Sequence, residues 1–251
     1  MISLIEHPHL PKGKTRDIII GKKYRNLLEN ALKERNLAAI WINDNKFVDP
    51  RISGHADISV LHAGGNRLFL AAYLNNCEFV DKVRGLGIEP VFVNSPHGEY
   101  PDDCGLNLCI ISNTLIYNPK SALHTVIKEL HCDRNIIVKQ GYTKCSVCIA
   151  DERSIITQDR SIADAAALNG FDVLYIEQPF VRLDGFENGF VGGASFKTAA
   201  DEIAFTGIIK SCEIRNRIES FLHNKNIKCT YLTDTEIFDI GGAIPITEEF
   251  Q

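Results

Sequence analysis

A strand, strand, helix, strand order recurs along this chain, and a repeat limits the available folds more than any single motif does. It is most complete between Gly54 and Ser95. There Ile58–Leu61 and Arg67–Ala72 are β-prone apolar runs, separated by the hairpin punctuation His62-Ala63-Gly64-Gly65-Asn66. Asn75–Gly85 then places Phe79, Val80 and Val83 at helical spacing, Gly85 and Gly87 supply stop signals, and Pro90–Asn94 returns as a strand.

The order is expected again over 104–140, with strands at Leu108–Ser112 and Leu115–Tyr117, a helix opened by Asn118-Pro119 and a strand at Asn135–Lys139. Two further copies are expected over 144–178 and 192–234, the second following a long linker from Glu177 to Gly189. Residues 17–44 carry a strand at Asp17–Gly21, a helix over Lys22–Asn36 and a strand at Ala38–Asn43, but no leading strand. The stretch Ile237–Thr247 offers what is missing, a glycine turn and one strand with no helix after it. Pairing that strand beside the first unit completes the set and leaves no sheet edge at the seam. The expected architecture is one α/β domain over residues 1–251, a five-fold pseudosymmetric propeller of ββαβ units closed by its C-terminal strand. His7 and His9 fall outside the repeats, in what reads as a mobile N-terminal tail, and His62 reads as part of a hairpin turn.

A net charge of −5 argues against general electrostatic binding of nucleic acid, which needs a basic face, while leaving room for a local basic patch. No apolar run reaches the roughly 18 residues of a membrane span, and MISLIEHPHLPKGKTRD is polar where a signal peptide would be apolar. A cytoplasmic protein with neither a nucleic-acid nor a membrane partner is expected; a homo-oligomer is compatible with the sequence. Of the eight cysteines, Cys77, Cys109, Cys148, Cys212 and Cys229 lie in apolar runs and read as small hydrophobes. Cys145 and Cys148 form a C-x-x-C, yet three residues apart on a strand they point to opposite faces. Cys104, Cys109 and Cys132 supply no second pair at zinc spacing. No metal and no cofactor are expected.

Five such units resemble the pentein fold, the α/β-propeller of guanidino-group-modifying enzymes such as arginine deiminase, agmatine deiminase and dimethylarginine hydrolase. The resemblance covers nearly the whole chain as architecture. At the level of motifs it rests on Gly54-His55-Ala56-Asp57, similar to that family's His-x-Asp at the start of a strand, and on Gly241-Gly242-Ala243 before the last strand. The chain is also similar to an uncharacterised bacterial branch of that fold.

In such a ring the segments preceding each first strand converge: SGHAD, YPDDCGLN, GYTKCS, GFVGGAS and FDIGGAI. They bring His55, Asp57, Asp102, Asp103, Cys104, Asn107, Lys144, Cys145 and Asp239 toward one pocket, with glycines such as Gly193 that let backbone amides approach a ligand. The resemblance implies a histidine that moves a proton, carboxylates that hold the cationic group and a thiolate that attacks the guanidinium carbon. His55 and Asp57 match the first two roles; their plainer reading is a loop pair capping a turn. The family's thiol follows the last repeat's glycines, but here that stretch reads GGAIPIT and holds no cysteine. Cys104 and Cys145 are the substitutes at unit starts, either of which can equally be a buried small residue. Lys144 is expected to lower the Cys145 thiol, whereas Asp102 and Asp103 would raise Cys104, so Cys145 is the thiol expected to react.

The function expected is therefore binding of a small cationic guanidino or amidino metabolite, with hydrolysis at a C–N bond if the thiol is competent. Asp102, Asp103, Cys104, Asn107, Lys144, Gly193 and Asp239 would contact the ligand, and His55, Asp57 and Cys145 would do the chemistry. The alternative is a non-catalytic pentein that binds a protein partner or serves as a scaffold, as the ribosome-binding initiation factor of this fold illustrates by resemblance.

Overall fold

The computed structural model describes residues 1–75, 77–94 and 97–250; the expected end of the second unit at Ser95 lies outside them. The repeat is present in the strand topology. The second unit consists of β5 (Val60–His62), β6 (Leu68–Ala71), α2 (Glu78–Gly85) and β7 (Val91–Val93) when strands and helices are numbered along the whole chain. Ahead of it lie β1 (Ile2–Leu4), β2 (Lys14–Thr15), β3 (Asp17–Gly21), α1 (Arg25–Glu34) and β4 (Ala38–Ile42). The third unit is β8 (Cys109–Ile111), β9 (Thr114–Tyr117), α3 (His124–Glu129) and β10 (Arg134–Ile137). The fourth is β11 (Val147–Asp151), β12 (Ser154–Thr157), α4 (Arg160–Leu168) and β13 (Asp172–Tyr175). The fifth is β14 (Ser195–Ala199), β15 (Glu202–Phe205), α5 (Cys212–His223) and β16 (Lys228–Tyr231), followed by β17 (Ile244–Pro245) and β18 (Thr247–Glu249).

Each unit forms its own small sheet. The first strand runs antiparallel to the second, as a hairpin allows, and the third returns parallel after the helical crossover that parallel pairing requires. Val60 stands opposite Leu70 and Phe69 opposite Val91 in the second unit; Cys148 faces Ile156, and Ile156 faces Leu174, in the fourth. In the first unit the leading strand comes from the far end of the chain: Ile244 pairs antiparallel with Ile19, which pairs parallel with Ile40. The strand expected over Ile237–Thr247 is shorter, because Gly241 and Gly242 take φ of +67° and +69° and turn the backbone out of extended geometry just before it.

The helices form because their apolar residues fall on one stripe. Ile214, Ile218 and Leu222 of α5 recur every fourth residue and are all buried, packing with Ile203, Phe205 and Ile156. Burying each such side chain contributes about 1.5–3 kcal/mol. Ser211 caps α5 and Asp159 caps α4, the latter accepting from Ile162 N–H at 2.9 Å. Replacing Asp159 by Ala should cost about 1 kcal/mol in urea unfolding, the usual loss when a helix N-cap is removed.

The N-terminus differs from the mobile tail expected of it. Leu4 pairs with Thr247 in an antiparallel β1–β18 ladder, and β1, β18 and β2 extend the fifth unit to a six-stranded sheet ordered β1-β18-β2-β14-β15-β16. The physical reason is apolar: Ile5 is fully buried, its N–H donates to Ile246 O at 2.9 Å, and the chain then folds inward so that His9 is buried too. No helix among the described residues is long and apolar enough to cross a membrane.

Candidate functional site

The turns that lead into the first strands carry the polar cluster. His55 does not enter a strand directly: Ala56–Ile58 is one 3-10 turn, and β5 begins at Val60. That turn is fixed by His55 N–H donating to Ile52 O at 2.9 Å and Asp57 N–H donating to Gly241 O at 3.1 Å. Gly193 ties the last two turns to the fourth unit, its N–H donating to Cys145 O at 2.8 Å and its carbonyl accepting from Ile240 and Gly242. Asn107 fixes the Cys145 backbone, its Oδ1 accepting the Cys145 N–H at 3.1 Å while its Nδ2 lies 3.5 Å from the sulfur.

This mesh brings His55, Asp57, Asn107, Cys145, Gly193 and Asp239 together. The Cys145 thiol donates to Asp57 Oδ2 at 2.8 Å. The Asp239 carboxylate accepts from Phe190 N–H at 2.9 Å and Gly241 N–H at 2.8 Å, and stands 3.9 Å from His55 Nδ1. Two polar atoms of the cluster, His55 Nε2 and Asp57 Oδ1, are buried without a hydrogen-bond partner. An unmet group of this kind typically costs about 1–3 kcal/mol, so the arrangement is stored rather than relaxed.

Burial dominates the electrostatics. It raises Asp57 to about 7, against the opposing pull of Lys144. It lowers His55, with Asp239 opposing. It also pushes the Cys145 thiol well above its ordinary value, reinforced by the Asp57 and Asp239 charges, with Lys144 opposing more weakly. Lys144 does pull this thiol down as expected, but desolvation and two carboxylates outweigh one ammonium, so the net shift is upward and the resting thiol is protonated. Lys144 Nζ instead donates to Gly192 O at 3.3 Å, on the side of the fold where His9 is buried.

A pocket of about 150 Å³ opens over the cluster. His55, Cys145 and Asp239 form its floor, Tyr142 and Phe190 its walls with ring centroids 6.2 Å apart, and Leu183, Phe186 and Asn188 of the long linker its mouth. It adjoins a wider hollow of about 450 Å³ that shares Leu183 and Asp239 and is bordered by Lys23, Arg51 and Arg182.

Besides Lys144, three expected residues stand apart. Asp103 is buried behind the wall, where it accepts the Tyr142 hydroxyl proton and reaches the pocket only through that ring. Cys104 turns its sulfur to Pro101 O at 3.4 Å, and burial raises its thiol to about 12. Asp102 is exposed, because the 3-10 turn over Asp102–Cys104 points successive side chains in different directions. Sequence reasoning missed Tyr142 and Phe190, although each directly follows a glycine in a segment already singled out, GYTKCS and GFVGGAS.

The fold matches solved structures along almost its full length. The amidinotransferase SxtG from Microseira wollei superposes with a TM-score of 0.62 at 7% identity, covering 99% of this chain and 98% of that one. DDAH from Pseudomonas aeruginosa, solved with citrulline, gives 0.56 at 8% identity over 94% and 100%. Agmatine deiminase from C. jejuni gives 0.52 at 12% identity over 92% and 90%. At these identities the likeness is one of fold. No curated protein matches the sequence. The model of a family of unknown function, DUF6873, matches residues 19–244.

Proposed function

We propose that this chain, which belongs to the DUF6873 family of unknown function and has the pentein superfamily fold, binds a small cationic guanidino or amidino metabolite over His55, Asp57 and Asp239. In this reading residues 1–251 form one domain, and the five units close about a pseudo-fivefold axis that the pocket occupies. The observation that carries the proposal is a buried polar cluster left unsatisfied: His55 Nε2 and Asp57 Oδ1 lack partners beneath a pocket whose described lining includes no arginine. A planar cation would lie against the Tyr142 and Phe190 rings, donate N–H groups to Asp239 at the pocket and to Asp57 just beneath it, and gain cation–π attraction of about 0.5–2 kcal/mol from the rings. Solved neighbours named as amidinotransferase and agmatine deiminase support the same ligand class.

The chemistry that follows is hydrolysis at a C–N bond. Cys145 passes its proton to Asp57, the resulting thiolate adds to the amidino carbon, and the C–N bond to the leaving amine breaks as His55 relays the proton held by Asp57 onto that amine. Water then cleaves the C–S bond and restores the thiol. The protonated resting thiol and the cysteine-free stretch Gly241–Thr247 favour a second reading, a pentein that binds its ligand or a protein partner without turnover.

Thermal shift against guanidine, agmatine and arginine, with His55→Ala and Asp57→Asn alongside, tests the binding. At a hundredfold excess over Kd a ligand adds about 2.7 kcal/mol, so the melting temperature should rise in the native protein and stay level in both variants. No shift with any of the three sinks the guanidino reading. A shift accompanied by ammonia or urea release that Cys145→Ser abolishes selects the hydrolase over the binder.

A further inference from the structure

The same cluster contains a donor set of a different kind. His55, Asp57 and Cys145 each present one ligand atom, and the three atoms lie within 4.8 Å of one another. All three residues are buried, at 2%, 3% and 2% exposure. Donors bound to one tetrahedral Zn²⁺ stand roughly 3.3–3.8 Å apart, given bonds of about 2.0 Å to nitrogen or oxygen and 2.3 Å to sulfur. The cluster therefore needs only small side-chain rotations to meet that geometry.

The surroundings are those of a metal centre as well. Asp239 stands 3.9 Å from His55 Nδ1 and is itself clamped by two backbone N–H groups. A carboxylate behind a ligating histidine is the usual device for fixing the ring. Asn107 Nδ2 lies 3.5 Å from the Cys145 sulfur, a donor suited to a thiolate. The unpartnered His55 Nε2 and Asp57 Oδ1 are the independent sign that something else completes the site. A thiolate and a carboxylate would neutralise a divalent cation, and sulfur with nitrogen selects Zn²⁺ over Mg²⁺ or Ca²⁺.

We propose that His55, Asp57 and Cys145 bind one Zn²⁺ ion per chain, with the fourth coordination position open to the pocket between Tyr142 and Phe190. The metal and a cationic ligand then exclude each other, because both engage Asp57 and only the metal-free state leaves the thiol available. That exclusion rests on the guanidino reading; the metal site does not.

The experiment uses the full chain stripped by a chelator and titrated with Co²⁺ and Zn²⁺. One Co²⁺ should bind per chain with an intense thiolate-to-cobalt charge-transfer band and tetrahedral visible absorption. Cys145→Ser should abolish the charge-transfer band, while Cys104→Ser, whose sulfur sits on Pro101 O, should retain it. His55→Ala and Asp57→Asn should weaken Zn²⁺ by more than the roughly 100-fold that losing a supporting outer partner reaches. Cys145→Ser and Asp57→Asn are near-isosteric, so an unchanged metal-free melting temperature separates loss of metal from loss of fold. Absence of stoichiometric metal in the native protein, or an unaltered cobalt spectrum in Cys145→Ser, overturns the site. Running the guanidino thermal shift on stripped and zinc-loaded protein keeps the two ideas apart. Zinc binding without any guanidino shift sustains the metal site and removes the guanidino reading; a guanidino shift in protein that takes no metal does the reverse.

Discussion

Gly193→Ala should cost about 3 kcal/mol of stability by displacing the Asp239 carboxylate at the pocket floor. A methyl at this position would fall far inside van der Waals contact with the Asp239 carboxylate. That carboxylate cannot swing aside cheaply, because the Phe190 and Gly241 N–H groups hold it and hydrogen bonds to a charged acceptor are worth about 1.5–3 kcal/mol each. Nor can the backbone shift freely, since Gly193 bonds to Cys145 on one side and to Ile240 and Gly242 on the other. Urea unfolding measures the loss. Gly85→Ala is the companion: at the end of α2 nothing lies within 4 Å of an added methyl, so the change should be neutral or stabilising by up to about 1 kcal/mol. Equal stability of Gly193→Ala and the native protein would mean that Asp239 is not held against this glycine.

Lowering the pH from about 6.5 to about 4 should remove on the order of 3 kcal/mol of stability through His62 alone. The ring is buried, with Nε2 bonded to Gly65 O at 3.0 Å and Nδ1 unpartnered, and burial depresses its pKa to about 4. The native ring is therefore neutral while the unfolded chain takes up a proton below about 6.5. Between those values the unfolded state binds more protons, so stability is fully present above the window and is lost as pH falls through it. His9 acts in the same direction, its pKa lowered by burial and then by Lys144 and His62. His62→Gln should flatten the stability curve across the window by about 1.4 kcal/mol per pH unit. An unchanged slope in that variant would place the acid sensitivity elsewhere.

How much of this was legible in the sequence depended on whether the controlling contacts were local. The strand, strand, helix, strand order was readable because hairpin turns and apolar spacing act within each unit, and the pairing of Ile244 with Ile19 follows once one unit is seen to lack a strand. The start of α3 was not readable. Asn118-Pro119 looks like a helix opening, but Asn118 Oδ1 accepts the Lys120 N–H, its Nδ2 donates to Lys139 O at 2.7 Å, and Leu123 N–H is drawn to Gly105 O. Those last two are tertiary contacts, and they delay the helix to His124. The N-terminal strand failed for the same reason: Ile2–Leu4 is too short to declare itself and exists because β18 lies beside it. Of the clustered residues, His55 and Asp57 were singled out through their motif and Asp239 through its place before the last strand. The state of Cys145 was misjudged because Lys144 is its neighbour in sequence, whereas Asp57 and Asp239, which outweigh it, are neighbours only in space.

His55, Asn107, Cys145, Gly193 and Asp239 each stand in the turn before the first strand of a different one of the five sheets. The turn ahead of each first strand can thus carry a polar or reactive group without that group having to serve as a rung of the sheet behind it. Under the proposed hydrolase reading, a thiol missing after Gly241-Gly242 would be supplied from position 145 with no change in strand order. A reactive group in a chain of this architecture is better sought by its seat than by its distance along the sequence.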